Sequence, residues 1–467
     1  MLFRAQNLGP IRDAELDLAK SLIILAGPNN SGKTYLGWAL YGLSRFNKAL
    51  PCVRELVDAA IASPVEAHEA GPRGEFLFRF AEEFCALYTR HLHRDFAASA
   101  STFTSTLLSL VPDANQGAQQ GGSLLLDDHV FRIDIERADP IRLKVQVTTH
   151  QQGDLSSTDQ PEFDADAATM SVPLASLSPD AVKYFADWAS RIITGRFKSA
   201  LFRKSFTIFP VERIATTIFA RELLLRRVEM LDEEAMDEPM RPASAVPRSA
   251  GRYPLPIRHS LLAAADLAAS SREDSDFHDL ADELEGSVLQ GSFTVGEHGD
   301  MLFIPRASPQ QSLGLHQSAS VVKSLSSLVF YLRHLARKRD YIIIDEPELN
   351  LHPDNQRRVA RVLAKAVNRG IKVMMSTHSD YLIGEFNNLL MLGRDTPQAA
   401  EVRQELGYDV ASVLKPEQVG VYLVSEGLCK PVEVKETGFE IKTFEDAFHR
   451  MNSDAQTIYN RVFADSE

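Results

Sequence analysis

The stretch Tyr341-Ile-Ile-Ile-Asp-Glu-Pro-Glu-Leu-Asn-Leu-His-Pro353 constrains this chain more than any other. Four apolar residues, three of them β-branched, run without a break into a pair of carboxylates and a proline. An unbroken apolar run reads as a strand buried on both faces, hence one strand of a parallel sheet covered by helices. Acids at its C-terminal end stand where open α/β sheets place their ligands. One acid of such a pair suits a divalent metal and the other suits a water molecule. The bland alternative is a strand that runs out into a solvated turn.

A second stretch answers the first. Gly27-Pro-Asn-Asn-Ser-Gly-Lys-Thr34 fits the pattern G-x-x-x-x-G-K-[ST] in full, after the apolar run Ser21–Ala26 and ahead of a helix expected from Tyr35 to about Leu50. Gly27, Asn29, Asn30, Ser31 and Gly32 are small enough to let backbone N–H groups turn inward onto phosphate oxygens. The helix beginning near Lys33 adds its positive end. Lys33 supplies a point charge for the outer phosphates and Thr34 a hydroxyl for Mg²⁺. Asp345 then completes the metal's shell, and Glu346 orients or deprotonates the attacking water. A further candidate is His378 in Ser376-Thr377-His378-Ser379, 33 residues after Asp345 and just past a second apolar strand. From there it could reach a terminal phosphate.

Composition limits the remaining choices. The 467 residues are too many for a single core, so two or three domains, or one split domain, are expected. The amino terminus has no signal-peptide architecture, and no run of about 18 apolar residues is present to cross a membrane. Cys52, Cys85 and Cys429 lie far apart without metal-ligand spacing, which fits a reducing, cytoplasmic setting. A formal charge of -13 argues against coating nucleic acid with the whole surface.

Lys33 and Asp345 lie roughly 310 residues apart, far beyond one strand–helix–strand crossover. A head divided by an insertion accounts for the gap. Residues 1–50 form its first part and 51–204 a mostly helical insertion. In the insertion, Val130–Glu136 and Ile141–Val147 alternate as a hairpin around Ala138-Asp-Pro140, and a polar, acidic loop follows over 150–169. Residues 205–231 hold Phe209-Pro-Val-Glu-Arg213, 232–284 a proline-rich linker and helical segment, and 285–395 the second part of the head. A strand-helix-strand-helix tail fills 396–467.

These residues resemble a family. The loop at Gly27–Thr34, Asp345-Glu346-Pro347 and a switch histidine at His378 look like an α/β P-loop NTPase of the ABC-type ATPase head. The split arrangement, the Asp-Glu-Pro-Glu-Leu-Asn-Leu-His-Pro string and the Phe-Pro-Val-Glu-Arg element are most similar to SMC/OLD-like ATP-binding proteins. Those proteins are often assigned to AAA-family ATPases and are frequent in bacterial anti-phage systems. The likeness covers residues 1–48 and 205–395 in patches and leaves 51–204 without a counterpart. It implies ATP and Mg²⁺, hydrolysis, and a homodimer with ATP sandwiched between the loop of one subunit and a signature serine of the other. The serine would be Ser318 or Ser320, one helix before Asp345; both glycines of the usual Leu-Ser-Gly-Gly-Gln pattern are missing. Ser320 would also cap the following helix. No glutamine-loop residue is assigned.

Arg213 is a candidate for nucleotide or switch contact, with a structural ion pair as the alternative. The nine Arg and Lys between Arg191 and Arg227 suggest either a nucleic-acid groove or a solvated helix face. Val424-Ser-Glu-Gly427 is similar to the opening of a metal-dependent nuclease domain, but no downstream Asp-x-Asp follows it. The expected role is an ATP-driven switch that controls a separately encoded effector such as a toxin or nuclease. The alternatives are an SMC-like ATPase of DNA maintenance and a nucleotide-gated scaffold with little turnover.

Overall fold

Alternation shapes the first two strands. Phe3, Ala5, Leu8, Ile11, Ala14 and Leu16 are buried, while Arg4, Gln6, Arg12 and Glu15 face solvent. They form the antiparallel pair β1 (Leu2–Leu8) and β2 (Ile11–Asp17), and β3 (Leu22–Ala26) follows with all five residues buried. The computed structural model describes residues 1–62, 68–69, 73–112, 122–126, 129–136, 142–149, 178–202, 205–220, 222, 253–265, 267–271, 273–296, 299–441 and 452–461. The expected acidic loop at 150–169 and nearly all of the expected linker at 232–256 lie outside these residues.

The chain divides into two units. One comprises residues 2–43, 90–107 and 204–467, and the other comprises 44–89 and 108–203 with Met1. In the first, β4 (Phe206–Phe209), β8 (Tyr341–Asp345), β9 (Lys372–Thr377), β3 and β10 (Val419–Ser425) lie side by side and parallel. Beyond β10 comes its antiparallel partner β11 (Leu428–Val432), which runs parallel to β2. A small antiparallel sheet contains β5 (Gly291–Val295), β6 (Met301–Pro305) and β7 (Leu313–Gly314). This is the mixed α/β architecture of the P-loop NTPases, with the Gly27–Thr34 loop joining β3 to α1 (Lys33–Arg45).

Both faces of the parallel strands are covered. Leu22, Ile24, Ile342, Ile344, Val373 and Met375 belong to one core with Val359, Leu363, Leu382 and Phe386. Those last four come from α3 (Pro353–Asn368) and α4 (Asp380–Met391). On the other face Gly37 of α1 comes so near Ile343 that an added Cβ would meet its Cγ2 at 3.1 Å. Local chemistry bounds the helices. Pro353 opens α3, the His352 side chain accepts from Asp354 N, and Gly370 at φ 102 follows its end. Ser379 caps α4 by accepting from Leu382 N.

Several expectations need correcting. Residues 107–111, within the stretch expected to be mostly helical, form a strand, with Leu108 and Leu110 buried and Leu107 and Ser109 exposed. The helix expected before Asp345 is α2 (Ser320–Phe330), followed by a π-helical turn over Tyr331–Leu335. The tail begins with a helix, Pro397–Glu405, and its strands then enter the large sheet. Val424-Ser-Glu-Gly427 is a hairpin turn: Glu426 and Gly427 both have positive φ, and Gly427 O accepts from Arg12 N and Asp13 N.

In the second unit, helices Pro51–Ala62, Arg73–Thr89 and Pro179–Leu201 bury Phe76, Phe80, Phe84 and Phe197 against one another. Strands 68–69, 142–149, 129–136 and 122–126 make an antiparallel sheet. The expected hairpin is its centre, with Arg132 opposite Gln146, and its Ala138–Pro140 turn lies outside the described residues. The three cysteines are free and buried. Among the described residues no helix is long and apolar enough to cross a membrane.

One buried acid ties α3 to α4. The Glu385 side chain is wholly buried and receives Arg357 Nε at 2.7 Å and Arg361 Nε at 2.5 Å. Removing one partner of a buried ion pair leaves the others uncompensated. Glu385→Ala should therefore lower the unfolding free energy by about 3 kcal/mol, measured by urea denaturation. A loss below about 0.5 kcal/mol would mean the two arginines are adequately served by solvent.

Candidate functional site

Register gathers the site. Ala26 lies opposite Thr377 and Asp345 opposite Ser376, so β3, β9 and β8 end at one sheet edge. Each strand then delivers its functional residues there: the Gly27–Thr34 loop, His378, and Asp345 with Glu346. The strand that carries His378 lies between the other two, so the loop and the acid pair do not come from neighbouring strands.

The loop requires its glycines. Gly27 has φ 145, and a Cβ there would meet Val424 O at 2.1 Å; Gly32 has φ 99, and a Cβ would meet the Ile11 side chain at 2.7 Å. Asn30 also takes a positive φ of 60, a conformation that asparagine tolerates. Pro28, Asn29 and Asn30 are exposed, whereas Ser31 is buried with a hydroxyl that has no partner. Lys33 is buried, and its ammonium donates to Gly27 O and Pro28 O, both at 2.8 Å. Burial lowers its pKa, opposed by the nearby charges of Glu346, Glu348 and Asp345. Thr34 follows at the start of α1, half-buried.

Asp345 is held at both oxygens. Ser376 Oγ donates to Oδ1 at 2.8 Å and Trp38 Nε1 to Oδ2 at 3.2 Å. Burial pushes its pKa up to about 6, against the lowering effect of these two hydrogen bonds. Glu346 adopts φ 48, an uncommon conformation for a side chain of its size. Its N–H donates to Ser376 O at 3.1 Å, and its carbonyl accepts from Arg213 at 2.8 Å. Its Oε2 lies 3.7 Å from His378 Nε2, longer than a hydrogen bond.

Arg213 lies beneath this edge and is only 3% exposed. Its guanidinium donates to the carbonyls of Pro210, Ser324, Asp345 and Glu346. These bonds join the edge to α2, where Ser324 Oγ in turn donates to Leu349 O. The ion pair expected as the alternative is not formed: these hydrogen bonds go to main-chain carbonyls, not to a carboxylate. Of the nine basic residues between Arg191 and Arg227, four lie in the described residues. Arg213 and Lys198 point at carbonyls, Lys198 Nζ reaching Phe46 O at 3.1 Å.

The two signature candidates differ. Ser318 is buried, and its hydroxyl donates to Gly314 O at 3.2 Å. Ser320 is exposed as the first residue of α2; Ala319 takes the cap position, so Ser320 is not the cap expected. Among the described residues neither hydroxyl bonds to the loop or to the acid pair. Sequence reasoning missed Trp38, Ser376 and Glu348. Trp38 lies one helical turn after Thr34 and so faces the same way, a spacing visible in the sequence.

The residues present fit a magnesium–nucleoside triphosphate. The loop can keep its conformation because Gly27 and Gly32 lack a Cβ that would meet Val424 O and the Ile11 side chain. Thr34 and Asp345 are hard oxygen donors of the kind magnesium takes. Ser31 Oγ and His378 Nδ1 are buried polar atoms without a partner.

Comparison with known proteins agrees in part. Residues 265–383 match the family model of an AAA ATPase domain. Among solved structures, the chain is similar to an Smc head bound to the C-winged helix domain of ScpA, with 10% identity and a TM-score of 0.35, over 92% of this chain and 96% of the other. The SMC head domain from Thermotoga maritima gives 9% and 0.30, over 93% and 98%. The Smc head domain with an extended coiled coil bound to the C-terminal domain of ScpA, derived from Pyrococcus furiosus, gives 12% and 0.31, over 97% and 98%. No curated protein matches the chain by sequence. At superposition scores this low, the fold is defined by the strand order and the loop.

Asp345 supplies a test of the site's electrostatics. An acid whose pKa is raised by folding costs stability once ionised. With an ordinary value of 3.8 and a folded value of about 6, that cost is absent below about pH 4 and complete above about pH 6. Asp345→Asn should therefore stabilise the protein at pH 8 by about 3 kcal/mol and leave it nearly unchanged at pH 4. Urea denaturation with chelator present reads both values. Equal effects at the two pH values would show that Asp345 is not strained by burial.

Proposed function

We propose that the chain is an ATPase of the ABC-type head class, with nucleotide binding and hydrolysis at the edge formed by β3, β9 and β8. The observation that carries this reading is the meeting of Lys33, Asp345, Glu346 and His378 at one place, although up to 345 residues separate them in sequence. The match of residues 265–383 to an AAA ATPase domain supports it.

Each residue has a separate task. Backbone N–H groups of residues 27–34 and the start of α1 receive phosphate oxygens. Lys33 leaves the loop carbonyls for the outer phosphates; burial lowers its pKa, and the nearby acids oppose that lowering. Thr34 and Asp345 would hold Mg²⁺, which when bound neutralises phosphate charge. Glu346, the more exposed of the two acids, orients the water and takes its proton. His378 lies beside Glu346 and faces the end of the phosphate chain. The arrangement positions groups and concentrates charge, which is most of what phosphoryl transfer requires.

Two such heads would close on two ATP molecules, each presenting Ser320 or Ser318 to the other's phosphates. Closing and opening would then act as a switch on a partner. By the motif resemblance, that partner is a separately encoded effector in anti-phage defence.

Lys33→Ala should weaken ATP binding about 100-fold by calorimetry, the loss of a charge-assisted contact inside a buried loop. Glu346→Gln should bind ATP normally, lose turnover, and double its mass by light scattering when ATP and Mg²⁺ are added. Hydrolysis at the parental rate would remove Glu346 from its role. A mass that ignores ATP would rule out the nucleotide-dependent dimer.

A further inference from the structure

A third acid stands at the same edge. Glu348 is 8% exposed, and its Oε1 accepts two hydrogen bonds: from Thr377 Oγ1 at 2.7 Å and from the His378 N–H at 2.9 Å. Its Oε2 is buried with no partner among the described residues. Arg213 feels its charge but donates elsewhere, to carbonyls. Glu348 is therefore not buried as half of an ion pair.

His378 shows what the acid serves. Its Nδ1 is buried without a partner, and its Nε2 is 3.7 Å from Glu346. Among the described residues no hydrogen bond of 3.5 Å or less reaches the ring. With no such bond to hold the ring, the main chain contributes to where the imidazole points, and the His378 N–H is tied to Glu348. The neighbouring residues continue the tie: Thr377 Oγ1 donates to Glu348 and accepts from Ser379 N, and Ser379 begins α4. One carboxylate oxygen thus joins the turn after β8, which carries Glu346, to the end of β9, which carries His378.

We propose that Glu348 is a positioning residue that fixes His378 relative to Glu346 by accepting the hydrogen bonds of the 377–378 turn. This rests on the reading of Glu346 and His378 given above. Glu348 has no contact with nucleotide in this role; it acts through the histidine. The function requires an acceptor at Oε1 and does not require a negative charge there. A carboxylate is the stronger acceptor, so a carboxamide should preserve most of the effect.

The experiment is steady-state ATPase kinetics on the full chain, with nucleotide affinity measured separately. Glu348→Ala should lower kcat by about 10- to 100-fold with KM for ATP changed less than about twofold, the pattern of a contact that matters in the transition state. Glu348→Gln should recover at least about half of the parental kcat, since it keeps the acceptor. Thr377→Val, which removes one donor and leaves the acid in place, should give a smaller loss in kcat and serves if the alanine variant fails to fold. The double variant Glu348→Ala/His378→Ala should be no slower than the slower single variant.

Three results would overturn the proposal. The first is a Gln variant as slow as the Ala variant, which would assign the role to the charge. The second is multiplied losses in the double variant, which would separate Glu348 from His378. The third is a large rise in KM alone, which would place Glu348 in nucleotide binding. If His378→Ala alone turns over at the parental rate, the role of the histidine is lost; an impaired Glu348→Ala would then show the acid acting by another route.

Discussion

The parallel pairing of β9 between β3 and β8 is the constraint on which the site depends. Parallel strands end on the same side, so their following loops converge. A phosphate loop, a histidine and an acid pair from distant segments meet there without any one of them having to reach. Helices on both faces are needed to bury such strands, and α1, α3 and α4 cover them.

Electrostatics make that edge demanding. Asp345, Glu346 and Glu348 lie within four residues of sequence, and among the described residues two buried cations, Lys33 and Arg213, feel their charges. The acids oppose the lowering that burial imposes on the Lys33 pKa. Arg213 offsets them from below, yet spends its hydrogen bonds on carbonyls of the strand end and of α2. A guanidinium suits that work because its donors are planar and fixed in direction. Through it, α2 is hydrogen-bonded to the strand end that carries Asp345 and Glu346.

Part of the unusual backbone sits at the same place. Glu346 has positive φ, and so do Gly27, Asn30 and Gly32. Such conformations persist where the surroundings over-determine them. For Glu346 the determinants are visible: its N–H goes to Ser376, its carbonyl to Arg213, and Pro347 follows.

Much of this was legible in the sequence, for particular reasons. The Gly27–Thr34 loop is a local device whose glycines and lysine work wherever a strand and a helix flank them. The Tyr341–Asp345 run declares a buried parallel strand by its β-branched residues, and Ser379, Pro353 and Gly370 mark helix ends by their own chemistry. What remained hidden depends on contacts between distant segments. Strand order is one case: β10 and β11 lie inside the large sheet, between β3 and β2, although their position in the tail suggested a separate piece. Arg213 is another, since its acceptors are backbone carbonyls, which every residue carries and no sequence distinguishes. Glu348 looked like one acid in a turn, and only the fold brings the 377–378 turn to it. The sequence by itself determined the loop, the acid pair and the class of fold, because those follow from short-range sterics and burial. The tertiary structure alone decided which donors meet which acceptors, because hydrogen bonds are directional and short, and partners such as Trp38 and Asp345, 307 residues apart, are chosen by packing.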